Sequence, residues 1–341
     1  MAARAFCRLG DGEGSGVSAA VALIFEKGLG SLAGDRLLCG KDVRIPFFRE
    51  SAMWKCAVQL LGVFMMVVSA TGPARADNVS FHEFSVGDVN MRVMSLVQKD
   101  LNSSILMAST EEQKKAVAAA YPDGAVHNVL NVLLIRVPGA VALVDTGYDW
   151  TDEQMDEALR GAGLGRGDVT HVIITHAHGD HVGGLVKDGK PTFPSAMVLF
   201  PERELSCWTG AENRKSASGG ALRIFDNVAN IVAAYQGRIG TFEAGENVCA
   251  ALPGVLSVDE AGHTPGHVGI MVSAEGRTFV FWSDLLHAFD VQAAHPDVSA
   301  SFDMDPAAAA RVRADMLNRA RKEGWLVVGS HVPFTEPRVL K

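Results

Sequence analysis

Residues 176–181 bring four side chains that commonly bind metal ions into six positions. The segment reads His176-Ala177-His178-Gly179-Asp180-His181 and follows the apolar run Val172-Ile173-Ile174. Imidazole nitrogen and carboxylate oxygen suit zinc, and after a strand end the first two histidines can reach one ion while the aspartate and the last histidine turn toward a second. So many polar groups beside two small residues would make a poor core and an unusual surface loop. The segment therefore predicts metal-assisted chemistry.

Three later strands end in the same kind of residue. Residues 255–258 lead to His263 in Gly-His-Thr-Pro-Gly-His, residues 278–282 lead to Asp284 in Ser-Asp-Leu-Leu-His, and residues 325–328 lead to His331 in Gly-Ser-His. Because sheets gather sites at one end of their strands, we expect these residues to converge on the 176–181 segment and to complete a cage for two metal ions. Each one alone could be an ordinary polar loop residue, but the three together favour a shared site.

Apolar and alternating runs predict the other strands that must position these residues. They are 81–86 and 89–97, joined by a Gly87-Asp88 turn, and then 128–137, 141–144, 169–175 and 191–200. The strand 141–144 delivers Asp145-Thr146-Gly147 at its carboxyl end. The predicted strands therefore extend through most of the chain and leave room for helices between them.

Helices are predicted between these strands from periodicity and capping residues. They cover 111–120, a stretch from the capping box Thr151-Asp152-Glu153-Gln154 to about 161, 201–208, 219–235, and a stretch from Asp305-Pro306 to about 323. The last helix carries Arg311, Arg313, Arg319 and Arg321, which we interpret as a solvated face.

Length and composition indicate a globular chain that begins with a leader. With 341 residues, 48% of them hydrophobic and 21% charged, the chain can build one large core or two modest ones. Met53 and Lys55 precede an apolar run over 57–70, and Ala74-Arg75-Ala76 supplies a small-residue cleavage site. This pattern predicts a signal peptide at 53–76 with cleavage after Ala76, and a periplasmic or secreted protein. The alternative, a membrane anchor, is disfavoured because the run is shorter than the ~20 residues that span a bilayer.

The residues before Met53 have two interpretations. Either an upstream start codon was wrongly assigned, or 1–52 is a genuine disordered extension, for which Gly12-Glu13-Gly14-Ser15-Gly16 has linker composition. We therefore divide the chain into a leader, 1–76, and a single metallo-hydrolase domain, 77–341. No stable membrane span is expected after cleavage.

Charge and cysteine content narrow the function further. The formal net charge is −8, and the leader holds nine of the 31 Lys and Arg residues but only six of the 39 Asp and Glu residues. The mature chain is therefore more acidic still, which argues against nucleic-acid binding. Cys7, Cys39 and Cys56 leave with the leader, and Cys207 and Cys249 could either pair or remain buried thiols.

With these motifs in place, the chain resembles the metallo-β-lactamase superfamily. Its His-x-His-x-Asp-His motif is met by 176–181, its other ligand positions match His263, Asp284 and His331, and its Asp-Thr-Gly matches 145–147. The resemblance extends from about 86 to 339. It implies an α/β fold of the αββα type, in which two mixed β-sheets pack face to face and are flanked by helices.

A finer resemblance points to the exported group that contains methyl parathion hydrolase and related lactonases and arylesterases. It is carried by the segments 175–185, 193–196, 204–208, His295-Pro296 and 331–334. Other branches fit less well: β-lactamases generally lack an aspartate like Asp284, glyoxalase-type thioesterases carry a C-terminal extension not found here, and flavodiiron proteins usually have Glu at the position of His178.

The resemblance also implies a ligand scheme and a mechanism. Two Zn²⁺ ions, or Mn, Co or Fe in their place, would be held by His176, His178 and His263 on one side and by Asp180, His181 and His331 on the other, with Asp284 and a hydroxide bridging. The hydroxide would attack the substrate, and Asp180 would pass a proton to the leaving alkoxide. Asp145 could accept from a ligand imidazole, or it could be a turn or N-cap residue.

The resulting hypothesis is a hydrolase of small lactones or aryl esters, with phosphotriesters as a main or additional substrate. Its alternatives are a β-lactam hydrolase, another thioesterase of this fold, and a zinc-binding protein without activity. Candidates for the substrate pocket are Trp208, Phe193, Phe289 and His287, with Trp282 and Phe302 beside them. The chain could be a monomer or a homodimer, and the only partner expected is a small-molecule substrate.

Overall fold

Two stacked β-sheets form the centre of the computed structural model, which describes residues 79–341. The predicted leader 1–76, with its signal segment from Met53 and its cleavage after Ala76, lies outside the described residues. The predictions made for those residues therefore remain predictions.

The described strands follow one another along the chain with helices between them. They are β1 (Ser80–Val86), β2 (Val89–Asn102), β3 (Leu106–Met107), β4 (Ala125–Val137), β5 (Ala140–Val144), β6 (His171–Ile173), β7 (Val186–Lys187), β8 (Lys190–Pro191), β9 (Met197–Pro201), β10 (Ile239–Phe242), β11 (Val255–Asp259), β12 (Val268–Ala274), β13 (Arg277–Phe281), β14 (Ser299–Ala300), β15 (Leu326–Val328) and β16 (Arg338–Val339). The first sheet has the order β1-β2-β4-β5-β6-β9-β10, and the second has the order β11-β12-β13-β15-β16. Both sheets mix parallel and antiparallel pairs.

The described helices flank this pair of sheets. They are α1 (Glu111–Ala120), α2 (Asp152–Gly161), α3 (Gly179–Val182), α4 (Glu202–Thr209), α5 (Ala211–Lys215), α6 (Gly220–Ala234), α7 (Phe289–Gln292) and α8 (Pro306–Glu323). Buried side chains of α2 and α6, such as Leu159 and Ile231, pack on the face of the first sheet that includes Val172. Met316 of α8 packs in the cluster that contains Val327 of the second sheet. The αββα arrangement is thereby confirmed.

The main core lies between the two sheets because their strands alternate apolar side chains toward each other. Val93 and Ile135 of the first sheet share one buried cluster with Ile270 and Phe281 of the second. The ring of Phe84 meets that of Phe279 edge to face, with 4.8 Å between centroids. Burial of this double apolar face fixes the strand registers.

Parallel pairing brings the predicted site residues to one edge. β5 pairs in parallel with β6, so the segments after Val144 and Ile173, which begin the 145–147 and 176–181 motifs, leave the sheet side by side. β13 pairs in parallel with β15, so the segments that carry Asp284 and His331 also leave the second sheet together. The expected gathering of strand ends is therefore observed within each sheet.

Several sequence predictions differ from the structure. The 191–200 strand is shorter, because β9 begins at Met197, and β10 and β12 were not predicted. The capping box at Thr151 is wrong: this residue precedes α2, but its hydroxyl donates to the carbonyl of Tyr148 instead of capping the helix. Asp305 caps α8 as predicted, accepting from the Ala308 amide. Arg313 does not belong to a solvated face, since it is buried against Asp303.

Two observations bear on the cysteines and on membrane insertion. Cys249 has a free thiol, so it does not pair with Cys207. Among residues 79–341, none of the helices combines the length and the apolar character needed to span a bilayer.

A buried asparagine connects the two sheets at the functional edge. Asn131 of β4 is fully buried, and its amide nitrogen donates to the carbonyls of Gly329, Val332 and Phe334 at 3.0–3.2 Å. Its backbone amide also donates to the carbonyl of Ser330. This contact holds the loop that carries His331 against the first sheet.

We predict that Asn131→Ala lowers the free energy of unfolding by about 3 kcal/mol, because three buried carbonyls lose a donor. Asn131→Asp should lower the free energy of unfolding further, since a carboxylate would face those carbonyls. Urea unfolding followed by circular dichroism measures both. The exposed Ser85, whose hydroxyl bonds to Asn90, is the control, and Ser85→Ala should cost less than about 0.5 kcal/mol. Wild-type stability in Asn131→Asp would contradict the assigned role of this residue.

Candidate metal centre

The 176–181 segment forms a turn that runs directly into a short helix. Strand β6 ends at Ile173, His178 is the N-cap of α3, and His181 lies within that helix. The following glycine, Gly184, touches the Asp-Thr-Gly loop so closely that an added Cβ would lie 2.2 Å from the Thr146 carbonyl oxygen. Backbone contact between the two loops thus fixes the orientation of the segment.

The structure brings all seven predicted ligand residues together. We call His176, His178 and His263 the first group and Asp180, His181 and His331 the second group; Asp284 lies within ion-pair distance of members of both. The ligand atoms of the first group with Asp284, and those of the second group by itself, lie within 4.8 Å of one another. Apart from His178 and Asp180, which are partly exposed, these side chains are buried.

Within the first group, atoms that can each accept a hydrogen bond point at one another. His178 Nδ1 lies 3.1 Å from His176 Nε2 and 3.0 Å from His263 Nε2. Asp284 Oδ2 lies 3.3 Å from the same His263 nitrogen. Three nitrogens and a carboxylate oxygen around one point are the donor set that zinc prefers.

The outer ring nitrogens explain why the inner ones carry lone pairs. His331 Nδ1 donates to the carbonyl of Val129 at 2.9 Å, so in the neutral ring Nε2 carries the lone pair. His181 and His263 place Nδ1 against the carboxylates of Asp145 and Asp303, at 2.8 and 3.0 Å. Such outer partners fix the tautomer of metal-binding histidines, and the residues present therefore fit a metal.

The electrostatics of the centre favour cations. Burial alone would lower the pKa of His331, but the carboxylates of Asp284 and Asp180 raise it to about 10. The pKa of His263 is raised to about 9 in the same way, by Asp284 and Asp303 against the effect of burial. Burial, and then the neighbouring His263, lower the pKa of His178 to about 3, so this imidazole stays neutral. Positive charge stabilises the carboxylates of the centre, and bound metal ions supply it in competition with protons.

Asp145 combines a strained backbone with a central hydrogen-bonding role. Its φ is +62°, a left-handed conformation that is uncommon outside glycine, asparagine and aspartate. Its carboxylate accepts from His181 Nδ1 and from the backbone amide and hydroxyl of Thr175. Of the two interpretations left open by the sequence, the structure shows the imidazole acceptor.

Two further histidines border the centre. His267 Nδ1 donates to the carbonyl of Glu260 and its Nε2 accepts from the Asp284 amide, so this ring supports the backbone of Asp284. His287 Nε2 lies 3.1 Å from Asp284 Oδ2, and its ring stacks on that of His331 with centroids 5.0 Å apart. His287 therefore faces the carboxylate that the two groups share.

The predicted pocket residues divide into those near the centre and those in the core. Besides His287, Phe302 lies beside the centre, 5.5 Å from the His287 ring and partly exposed. Phe193 is not a pocket residue: it is fully buried in the core cluster that includes Tyr235. Phe289 packs edge to face against Phe334, with centroids 5.2 Å apart, at the border of the core between the sheets.

The other two predicted aromatic residues are also buried. Trp282 has no exposed surface and belongs to the core between the sheets, while Trp208 packs on Phe225 and donates its indole N–H to Glu204. Aromatic residues of core and pocket look alike in sequence, which is why these predictions were wrong.

Sequence reasoning missed several residues that support the centre. Asp303 and Arg313 form a buried ion pair of 2.9 Å behind His263. Glu204 bonds to the loops on either side of the first group. Burial and the nearby charges of Asp180 and Asp284 raise the pKa of Tyr148, whose ring stacks on the exposed Trp150 at 5.0 Å. Their contacts with the ligand residues and ligand loops span 27 residues or more, so no local pattern marks their role.

Comparison with protein families adds an independent observation. The family model described as "Metallo-beta-lactamase superfamily" matches residues 128–331, from β4 to the last predicted ligand. Metallo-beta-lactamase domain-containing protein 1 of Xenopus laevis is 47% identical over 55 residues, which are 16% of this chain and 23% of that protein. The chain thus spans less than a quarter of the length of this relative.

Solved structures share the fold over most of the chain. The hydrolase AbOPH of the beta lactamase superfamily has a TM-score of 0.68 and 24% identity, covering 75% of this chain and 91% of that one. AidC, a dizinc quorum-quenching lactonase in complex with a product, has a TM-score of 0.68 and 23% identity, covering 76% of this chain and 93% of that one. At such identities the likeness establishes the fold.

We predict that Asp303→Asn weakens zinc binding about 10- to 100-fold, because His263 loses the carboxylate that orients its ring. Chelator competition followed by absorbance measures this affinity. Asp305→Ala, which removes only the cap of α8, should cost about 1 kcal/mol of stability and leave zinc affinity unchanged. Equal zinc affinity in the wild type and Asp303→Asn would show that the carboxylate does not orient the ligand.

Proposed function

Because the chain belongs to the metallo-beta-lactamase superfamily, we propose that it is a dinuclear metal-dependent hydrolase of small lactones and aryl esters, with phosphotriesters as additional substrates. The observation that carries the proposal is the meeting of two ligand groups around one shared carboxylate, Asp284. The resemblance to the exported methyl parathion hydrolase branch is part of this proposal. So is export itself, with cleavage after Ala76.

The donor atoms support two metal sites of unequal composition. The first group would hold one ion with three imidazoles, and the second group would hold another with two imidazoles and Asp180. Zinc is proposed for both, and the same nitrogen and oxygen donors also suit Mn, Co or Fe. When bound, such ions supply Lewis acidity and make water acidic enough to ionise near neutral pH.

The chain's own groups are arranged to move protons beside these sites. Asp180 Oδ2 lies 3.3 Å from His331 Nε2, and the charge of the same carboxylate raises the pKa of the nearby Tyr148 hydroxyl. Asp180 is partly exposed, so an incoming substrate can reach it. We assign the ionised carboxylate of Asp180 the role of taking a proton from the attacking water and passing it to the leaving-group oxygen, and Asp284 the joint positioning of both groups.

Exposed aromatic side chains beside the centre support a small apolar acyl or aryl substrate. Trp150 and Phe302 are exposed aromatic residues: Trp150 stacks on Tyr148 beside Asp180, and Phe302 lies next to His287. Exposed aromatic rings beside a polar centre are typical of sites that bind small ligands. The dizinc lactonase AidC, which shares the fold, supports the lactone as first choice.

We predict that His178→Ala lowers kcat/KM by about 1,000-fold or more, a loss of ~4 kcal/mol in transition-state stabilisation. The reason is that the first group loses one of its three imidazoles, and since this side chain is partly exposed we expect the variant to fold. Hydrolysis of an N-acyl homoserine lactone, phenyl acetate and methyl paraoxon is measured beside circular dichroism. His127→Ala, which removes an exposed histidine paired with Asp100, is the matched control and should remain active. Full activity of His178→Ala on the preferred substrate would refute the proposed site.

We also predict that removal of metal by a chelator abolishes hydrolysis of all three substrates and that added zinc restores it. The lactone or the aryl ester should be turned over faster than methyl paraoxon. Metal content is determined by mass spectrometry in the same preparations, and two equivalents per chain are expected. Hydrolysis that persists in metal-free protein, or a single equivalent at saturation, would contradict the dinuclear proposal.

A further inference from the structure

The buried carboxylate of Glu204 links two loops that are distant in sequence. Glu204 lies in the first turn of α4 and has no exposed surface. Its Oε1 accepts from the Ala177 amide at 3.0 Å and from the indole N–H of Trp208 at 2.7 Å. Its Oε2 accepts from the Thr264 hydroxyl at 2.8 Å and from the Gly266 amide at 2.7 Å. Four donors thus converge on one side chain.

The two loops held by Glu204 deliver the whole first group. Ala177 lies between His176 and His178, and Thr264 directly follows His263. No hydrogen bond of the Glu204 side chain within residues 79–341 goes to Asp180, His181 or His331. The second group is supported by other acceptors, which are Asp145 and the carbonyl of Val129. The direct contacts of Glu204 therefore lie beside ligands of the first group, whereas the rings of His181 and His331 have acceptors of their own.

The surroundings of Glu204 leave little room for adjustment. An added Cβ at Gly266 would lie 2.3 Å from the Glu204 backbone nitrogen, so this loop packs directly on the first turn of α4. Trp208, one turn later in the same helix, donates to Oε1 and contacts neither ligand loop through this bond. Because every partner is a donor, an amide in place of the carboxylate would point its NH₂ group at other donors.

We propose that Glu204 is the positioning residue that sets the distances among His176, His178 and His263, and thereby the metal affinity of the first group without that of the second. The inference rests on the proposed metal binding but not on the identity of the substrate. It also assigns a specific purpose to a fully buried acidic residue outside the two ligand groups.

The test compares the affinities of the two metal sites in Glu204→Gln and the wild type. Metal-free protein is titrated with Zn²⁺ in the presence of a chromogenic chelator, and with Co²⁺ while its absorption bands are recorded. Glu204→Gln should lose affinity for one equivalent by about 10- to 100-fold and retain the other unchanged. Thr264→Val, which removes a single donor to Oε2, should weaken the same equivalent by a smaller factor and decides the question if Glu204→Gln does not fold.

Two control variants separate positioning from general stability. Trp208→Phe keeps both loop contacts of Glu204 and should leave both zinc affinities near wild type even where it lowers the melting temperature. Asp145→Asn keeps an oxygen for the Thr175 amide but removes the charge behind His181, and it should weaken the opposite equivalent more than the first. Equal weakening of both equivalents by Glu204→Gln and Thr264→Val, or no weakening in either, would overturn the inference.

The outcomes for the wild type keep the two proposals apart. A wild-type protein that binds no zinc would overturn this inference together with the proposed function. Two equivalents bound by the wild type without hydrolysis of any test substrate would refute the function alone, and the comparison of Glu204→Gln with the wild type would still decide the role of Glu204.

Discussion

The structure depends on a concentration of lone pairs that only positive charge can balance. Five imidazoles and two carboxylates meet at one edge of the sheets, most of them buried, and their inner atoms face one another at about hydrogen-bond distance. Such an arrangement is costly to bury unless protons or metal ions occupy it. The surrounding fold is therefore best understood as the scaffold that holds these groups in place against mutual repulsion.

That scaffold works at two levels. Parallel pairing within each sheet brings strand ends together, and Asn131 holds the His331 loop of the second sheet against the first. Around the centre, Asp145, Asp303 and Glu204 then fix individual rings and loops. Asp145 and Asp303 each face one ligand ring, whereas Glu204 connects the two loops that carry the first group.

The features that could be predicted are those marked by residues close together in the sequence. The β1–β2 hairpin, α1, the Asp305 cap of α8 and the strand ends before the ligands follow from periodicity, and the ligands themselves follow from residue type and spacing. Contacts made over long stretches of chain were missed. Asp303 reaches His263 over 40 residues and Glu204 reaches Ala177 over 27, without a nearby pattern that marks either.

Local charge patterns also fail to predict exposure where tertiary packing decides whether a side chain is buried. Four arginines on α8 suggested a solvated face, but Arg313 is buried and donates to carbonyls near Leu285 and Pro296 as well as to Asp303. In the same way, Phe193 belongs to the core although its position in the sequence suggested a pocket. The burial of both side chains depends on contacts with residues that are distant in the sequence.

The left-handed backbone of Asp145 has a consequence for how this protein can vary. Its backbone conformation favours glycine, asparagine or aspartate, whereas its partners, the His181 ring and the Thr175 amide and hydroxyl, call for a negatively charged acceptor. Glutamate would keep the charge but strain the chain, and asparagine would keep the chain but lose the charge. The two requirements overlap in a single amino acid, so genetic drift has almost no neutral path through this codon.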